Sequence, residues 1–218
     1  MDEVWHGEVA DTFQSHPVTA QRLRFHGAVW DVRSDEVAIG DHVVTRDLVV
    51  HPGAVGIIAL DNQDRVLLIR QYRHPVAAFL FEPPAGLLDT HKETAWECAQ
   101  RELAEEAGLR ARSWHVLIDF LNSPGGTSET LRCFLARDLD VLPDGREHTG
   151  EAEELHLPQA WVPLPEAVGL VLSGAIQNPT ATNGILAAAA HQGRDWRDLR
   201  PADSPWPVRN WVESLGNV

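Results

Sequence analysis

Between Arg22 and Val50 the chain alternates short apolar and polar positions, RLRFHGAVWDVRSDEVAIGDHVVTRDLVV, broken by Gly and Asp. Alternation of this kind, with Val, Phe and Trp, predicts β-strands joined by tight turns. The next stretch, HPGAVGIIALDNQDRVLLIRQYRH, holds two runs rich in β-branched residues around DNQD, which predicts a hairpin. A loop rich in Pro and Gly follows (FEPPAGLLD), and then a strongly helical segment. Further strands are expected near 112–120, 131–138 and 155–162, with helices at 164–173 and 178–191. The tail DWRDLRPADSPWPVRNWVESLGNV is rich in Pro and Trp and is expected to be irregular. Helix embedded among strands indicates a mixed α/β or α+β core. There is no internal repeat.

The helical segment carries the most information. Thr94 followed by Glu97 forms a capping box, so a helix is expected to start near Ala95, and Gly108 is placed to end it. Ala95, Ala99 and Leu103, at i, i+4 and i+8, give an apolar stripe for docking on a sheet. Glu102, Glu105 and Glu106, at i, i+3 and i+4, project from one face and repel one another. A hard divalent cation such as Mg²⁺ would offset that repulsion, because it prefers carboxylate oxygens and keeps positions open for water and phosphate. A solvated acidic face is the other reading of the spacing alone. For Arg101 the spacing alone suggests an i, i−4 pair with Glu97.

Charge changes the picture of possible partners. Of the 218 residues, 18 are Lys or Arg and 32 are Asp or Glu, for a net charge of −14. So acidic a chain would repel a phosphate backbone, which argues against nucleic acid as a partner but leaves a small phosphorylated ligand open if cations intervene. The hydrophobic share of 44% is globular, which excludes wholesale disorder. Cys98 and Cys133 form no CxxC pair and suit a reducing compartment. The acidic start MDEVWHGEVADTF lacks the apolar core of a signal peptide, and no apolar run approaches the roughly 20 residues that span a bilayer. The expectation is a cytoplasmic protein with no membrane partner. Eleven histidines show no HExxH or paired spacing, so zinc is not expected.

The segment Gly86 to Leu109, GLLDTHKETAWECAQRELAEEAGL, resembles the Nudix box, G-x5-E-x7-R-E-U-x-E-E-x-G-U with U aliphatic. Glu93, Arg101-Glu102-Leu103, Glu105-Glu106 and Gly108-Leu109 all fall in place; the one departure is six residues, not five, between Gly86 and Glu93. The extra residue lies in the loop before the helix and leaves the glutamate spacing untouched. RQYRH, EPPAG and SPGGTSE, together with HPGAVGIIAL and AWVPLPEA, resemble the ADP-ribose pyrophosphatase branch of the Nudix hydrolases over about residues 45–190.

The resemblance implies a Nudix fold: a mixed β-sheet core sandwiched by helices, with an N-terminal antiparallel β extension. It suggests three regions, 1–48 for dimerisation, 49–195 for the Nudix domain and 196–218 for the tail. It implies Mg²⁺-dependent hydrolysis of ADP-ribose, or a related ADP-sugar, to AMP and ribose 5-phosphate, with Mn²⁺ as a possible substitute. Glu102 and Glu106 would be principal metal ligands, Glu105 would assist, the Ala85 carbonyl would complete the site, and Glu93 would pair with Arg101. Substrate contacts are expected from Arg73, Glu82, Arg70, Ser128 and Glu129, although a surface arginine, a plain glycine-rich turn and, for Tyr72, core packing remain alternatives. Related enzymes take a general base from a loop glutamate, here Glu153 first, then Glu151, with Glu154 beside them in GEAEELH. A homodimer built through the N-terminal strands is the expected assembly. Another nucleoside diphosphate sugar or NADH as substrate, or a non-catalytic nucleotide sensor, remain alternatives; a sensor would be expected to have lost a box glutamate, and all are present.

Overall fold

A computed structural model describes residues 4–89, 93–143, 145–146 and 157–216. The N-terminal alternation forms three antiparallel strands in sequential order, β1 (Val18–His26), β2 (Asp31–Ile39) and β3 (His42–Val50). The rest is built on β4 (Ala54–Ala59), β5 (Arg65–Arg73), β6 (Ala78–Glu82), β7 (Ala85–Leu87), β8 (Leu109–Leu121), β9 (Thr130–Val141), β10 (Gln159–Pro163) and β11 (Arg200–Pro201). Among the described residues four α-helices accompany them: α1 (Ala95–Ala107), α2 (Leu164–Leu172), α3 (Pro179–Gln192) and α4 (Pro207–Ser214).

The central sheet runs β11-β8-β9-β4-β7, with β4 and β9 parallel and the other neighbours antiparallel. Every residue of β4 is buried, because helices cover both faces of its sheet. Val55, Ile57 and Ala59 point to the α1 side, where they join Cys98, Ala99, Leu103 and Phe134. Ile58 points to the other side, with Leu135, Ala167 of α2 and Ile185 of α3. This is the expected mixed sheet sandwiched by helices.

Two local expectations need correction. The runs around DNQD are not a hairpin: β4 belongs to the central sheet, whereas β5 lies between β10 and β6 in a separate three-stranded sheet, and a single bridge, Leu60–Val66, joins the two runs. Asp61 accepts backbone N–H bonds from Gln63 and Arg65, so the turn chemistry was legible. Partner choice was decided elsewhere: β4 is paired with β7 on one edge and β9 on the other, which leaves β5 to pair with β6 and β10. The tail is not irregular either. It pairs Arg200 and Pro201 with β8 and then forms α4, where Trp206 and Val212 are buried. Buried Arg132 on β9 holds it, donating to the carbonyls of Ser204 (2.7 Å) and Pro205 (3.0 Å) while its guanidinium lies 4.7 Å from the Trp206 ring centre. Among the described residues no helix is long and apolar enough to cross a membrane.

Candidate active site

The Thr94 capping box is formed: its hydroxyl accepts from Glu97 N, and the Glu97 carboxylate accepts from Thr94 N at 2.7 Å. Those bonds hold Glu97 below the usual carboxylate range. They also turn Glu97 to the helix end, so the pairing with Arg101 that simple spacing suggests is replaced by another. Gly108 ends α1 with φ 68°, a left-handed value that glycine adopts without strain.

The helix buries Cys98, Ala99 and Leu103 against the sheet, and this fixes its rotation. The rotation leaves Glu102 and Glu106 buried and Glu105 half-buried, next to the strand Ala85–Leu87. The Ala85 N–H donates to the Glu106 carboxylate at 2.9 Å. Gly86 backs directly onto Glu102, and a Cβ built there would overlap the Glu102 carboxylate. A glycine is therefore required for the helix to bring its acids this close to the strand.

Arg101 supplies the positive charge among these acids. It donates to Glu93 through Nη2 (2.7 Å) and Nε (3.2 Å), and through Nη1 to Glu102 (2.7 Å) and Glu105 (2.8 Å). Hydrogen bonding to Arg101 holds Glu93 below its usual range, and the Glu93 bond, chiefly, pushes the guanidinium above its own. Among the described residues no three acidic, imidazole or thiol groups already form a cage for an ion. The donor set still fits one: three carboxylates, two of them buried, gathered beside β7 make the all-oxygen environment that hard divalent cations prefer.

The expected substrate contacts fall into two other groups. Arg73 grips Glu82 with two parallel bonds, Nε–Oε1 at 2.9 Å and Nη2–Oε2 at 3.1 Å. Glu82 is 2% exposed, and burial raises its pKa despite Arg73. Arg70 lies 4.3 Å from the Phe79 ring centre, and Tyr72 is exposed and tilted against the same ring rather than packed in the core. Ser128 accepts from the backbone of His51 at 2.9 Å, while Glu129 accepts from Asn122 at 2.7 Å and lies 3.9 Å from the His51 ring. Sequence reasoning did not single out His51. It is 7% exposed, stacked on Trp30, and its pKa is lowered by burial first and by Arg209, against the opposing pull of Glu129. Asn178, which bonds Glu82, was also missed; the Asn-Pro pair signals a helix cap but not that contact. Glu151, Glu153 and Glu154 lie outside the described residues.

A mixed sheet between helices, with a glutamate-rich helix backed onto a glycine strand, defines a class that comparison with known proteins identifies. The family model of the NUDIX domain matches residues 50–182, and the chain belongs to that family. It is 39% identical to the ADP-ribose pyrophosphatase of Mycobacterium tuberculosis over 83% of this chain and 86% of that protein. It is 35% identical to the ADP-ribose pyrophosphatase of Bacillus subtilis, over 76% and 88%. The GDP-mannose pyrophosphatase of Yersinia pestis is 28% identical over 77% and 85%. The crystal structure of an ADP compounds hydrolase superposes with a TM-score of 0.67 at 21% identity, covering 96% of this chain and all of that one, which shows the shared fold. The protein is thus a Nudix hydrolase, of a family that generally needs a divalent metal.

Proposed function

We propose that this protein hydrolyses the pyrophosphate bond of ADP-ribose or a related ADP-sugar, with Mg²⁺, or Mn²⁺ in its place, as the metal. The observation that carries the reading is the seating of Glu102 and Glu106 against Ala85 and Gly86. The two ADP-ribose pyrophosphatases among the relatives support the choice of substrate. Glu102 and Glu106, helped by Glu105 and the Ala85 carbonyl, would hold the metal. A divalent cation held there would supply charge neutralisation of the pyrophosphate and acidification of the attacking water. Arg101, held by Glu93, orients the helix acids. Arg73, braced by Glu82, is a planar donor to the substrate's phosphates or adenosine, since its side chain is 43% exposed. Arg70, Ser128 and Glu129 are further substrate contacts in this reading. Water attacks one phosphorus in line as the bridging P–O bond breaks, and a glutamate of the 151–154 loop, Glu153 first, takes the proton. AMP and ribose 5-phosphate leave. Positioning and electrostatics supply most of the acceleration, as in other phosphoryl transfers.

A hydrolysis panel tests the assignment: ADP-ribose, ADP-glucose, GDP-mannose, NADH and diadenosine polyphosphates, each with Mg²⁺ or Mn²⁺. ADP-ribose is expected to give the highest kcat/KM. GDP-mannose, favoured by the relative in Yersinia, is the rival, and a higher value for it overturns the substrate proposed here.

We place the protein in the cytoplasm. Cys98 and Cys133 are free and buried in opposite core clusters, their thiols pushed up to about 12 mainly by burial, which suits a reducing compartment. We also assign residues 1–48 to homodimerisation. Leu23, Phe25, Val29, Trp30 and Val43 on or beside β1–β3 are exposed in one protomer, and so small a sheet is poorly stable without something to cover its apolar positions. The second apolar surface that such a sheet would meet lies on β5–β6, where Tyr72, Phe79 and Phe81 are exposed. Light scattering at micromolar concentration is expected to give twice the 24.1 kDa chain mass, and removal of residues 1–45 to give monomer with weakened ADP-ribose binding. A full-length monomer rules this assembly out.

A further inference from the structure

Asn178, at the start of α3, reaches the carboxylate that braces Arg73. Glu82 ends β6, and Arg73 ends β5; in register Glu82 faces Ile69, so the Arg73 side chain must lie back along its strand to reach the carboxylate. It does so with a two-pronged grip that spends two of its donors. A third donor comes from 96 residues away: Asn178 Nδ2 bonds Glu82 Oε2 at 2.5 Å. Asn178 is 9% exposed and is the N-cap of α3, its Oδ1 accepting from Ala181 N at 2.9 Å. The helix N–H demands an oxygen, so the amide cannot flip, and its nitrogen is left facing Glu82. Arg73 and Glu82 by themselves form one hinged pair, whereas with Asn178 the carboxylate is fixed from two directions.

We propose that Asn178 is a positioning residue for substrate binding: its amide holds the Glu82 carboxylate in the one orientation from which Arg73 presents its exposed donors to the pyrophosphate-linked substrate. This rests on the reading of Arg73 as a substrate contact. Asn178 touches no substrate itself. It acts through two intermediaries, so its loss affects binding rather than the chemical step.

Capping and positioning are separable by choice of variant. Asn178→Ser keeps a good N-cap oxygen but removes the amide donor, and Asn178→Asp keeps the cap while setting a second carboxylate against Glu82. Steady-state kinetics on ADP-ribose compare both with Arg73→Ala and with the Asn178→Ser/Arg73→Ala double variant, each checked by thermal melting. A hydrogen bond to a charged group is strong enough that its loss is expected to raise KM by up to about tenfold in the serine variant and more in the aspartate one, with kcat within about twofold of wild type. The double variant is expected to match Arg73→Ala alone, because an arginine that is absent cannot be misaligned. The melting temperature of Asn178→Ser is expected to stay near that of wild type, and that of Asn178→Asp to fall, because two carboxylates then share one buried site. If Arg73→Ala raises KM while Asn178→Ser leaves it unchanged, or if the two effects multiply, the positioning role is overturned and the substrate reading of Arg73 stands. If Arg73→Ala leaves KM unchanged, the substrate reading fails and takes the inference with it.

Discussion

Replacing Glu106 with glutamine is expected to lower kcat by about 10²-fold or more while leaving the fold intact. The size of the loss follows from the role proposed for this carboxylate, because metal stabilisation of phosphoryl chemistry contributes several kcal/mol of barrier, and each 1.4 kcal/mol is about tenfold in rate. Retention of the fold follows from the geometry. The Ala85 N–H that donates to Glu106 finds the same kind of acceptor in a glutamine oxygen. Loss of one negative charge also relieves repulsion with Glu102 and Glu105 on the same helix face. Thermal melting is therefore expected at or above the wild-type temperature. In the wild-type enzyme, activity is expected to vanish with EDTA and to return with Mg²⁺. Full activity in chelator, or a Glu106→Gln enzyme with wild-type kcat, would falsify the metal mechanism.

The second large effect is expected from the loop at 151–154. Glu151, Glu153 and Glu154 changed singly to glutamine are expected to give one large kcat loss and two small ones. Removal of a general base typically costs about 10²–10⁴-fold, whereas a surface carboxylate costs almost nothing. Glu153 is the first choice for the large loss. KM is expected to change little, since the proton leaves the water only in the chemical step. Three equally mild effects would show that the loop is a charged surface and that the base lies elsewhere.

Much of this protein follows rules that act within one or two turns of chain. The capping box at Thr94, the spacing of Glu102, Glu105 and Glu106, and the apolar stripe of Ala99 and Leu103 were all legible because helix geometry relates residues three and four apart whatever surrounds them. So were α2 and α3, each within a residue or so of the expected limits. The strands at the chain's start were legible because alternation has a fixed period of two.

What needed the folded chain was the choice of partner. DNQD forms a turn, yet β4 and β5 part into different sheets, because both edges of β4 are taken by β7 and β9. A proline-rich tail has no period to read. It forms α4 because buried Arg132 offers donors to its carbonyls and Trp206 has a surface to cover. The closeness of Gly86 to Glu102, the grip of Arg101 on three carboxylates rather than on Glu97, and the meeting of Asn178 with Glu82 are likewise tertiary. A sequence determines which groups stand on one helix face, since the backbone alone sets that. It does not display which distant strand or helix end will face them, because that is settled by the burial of the whole core at once.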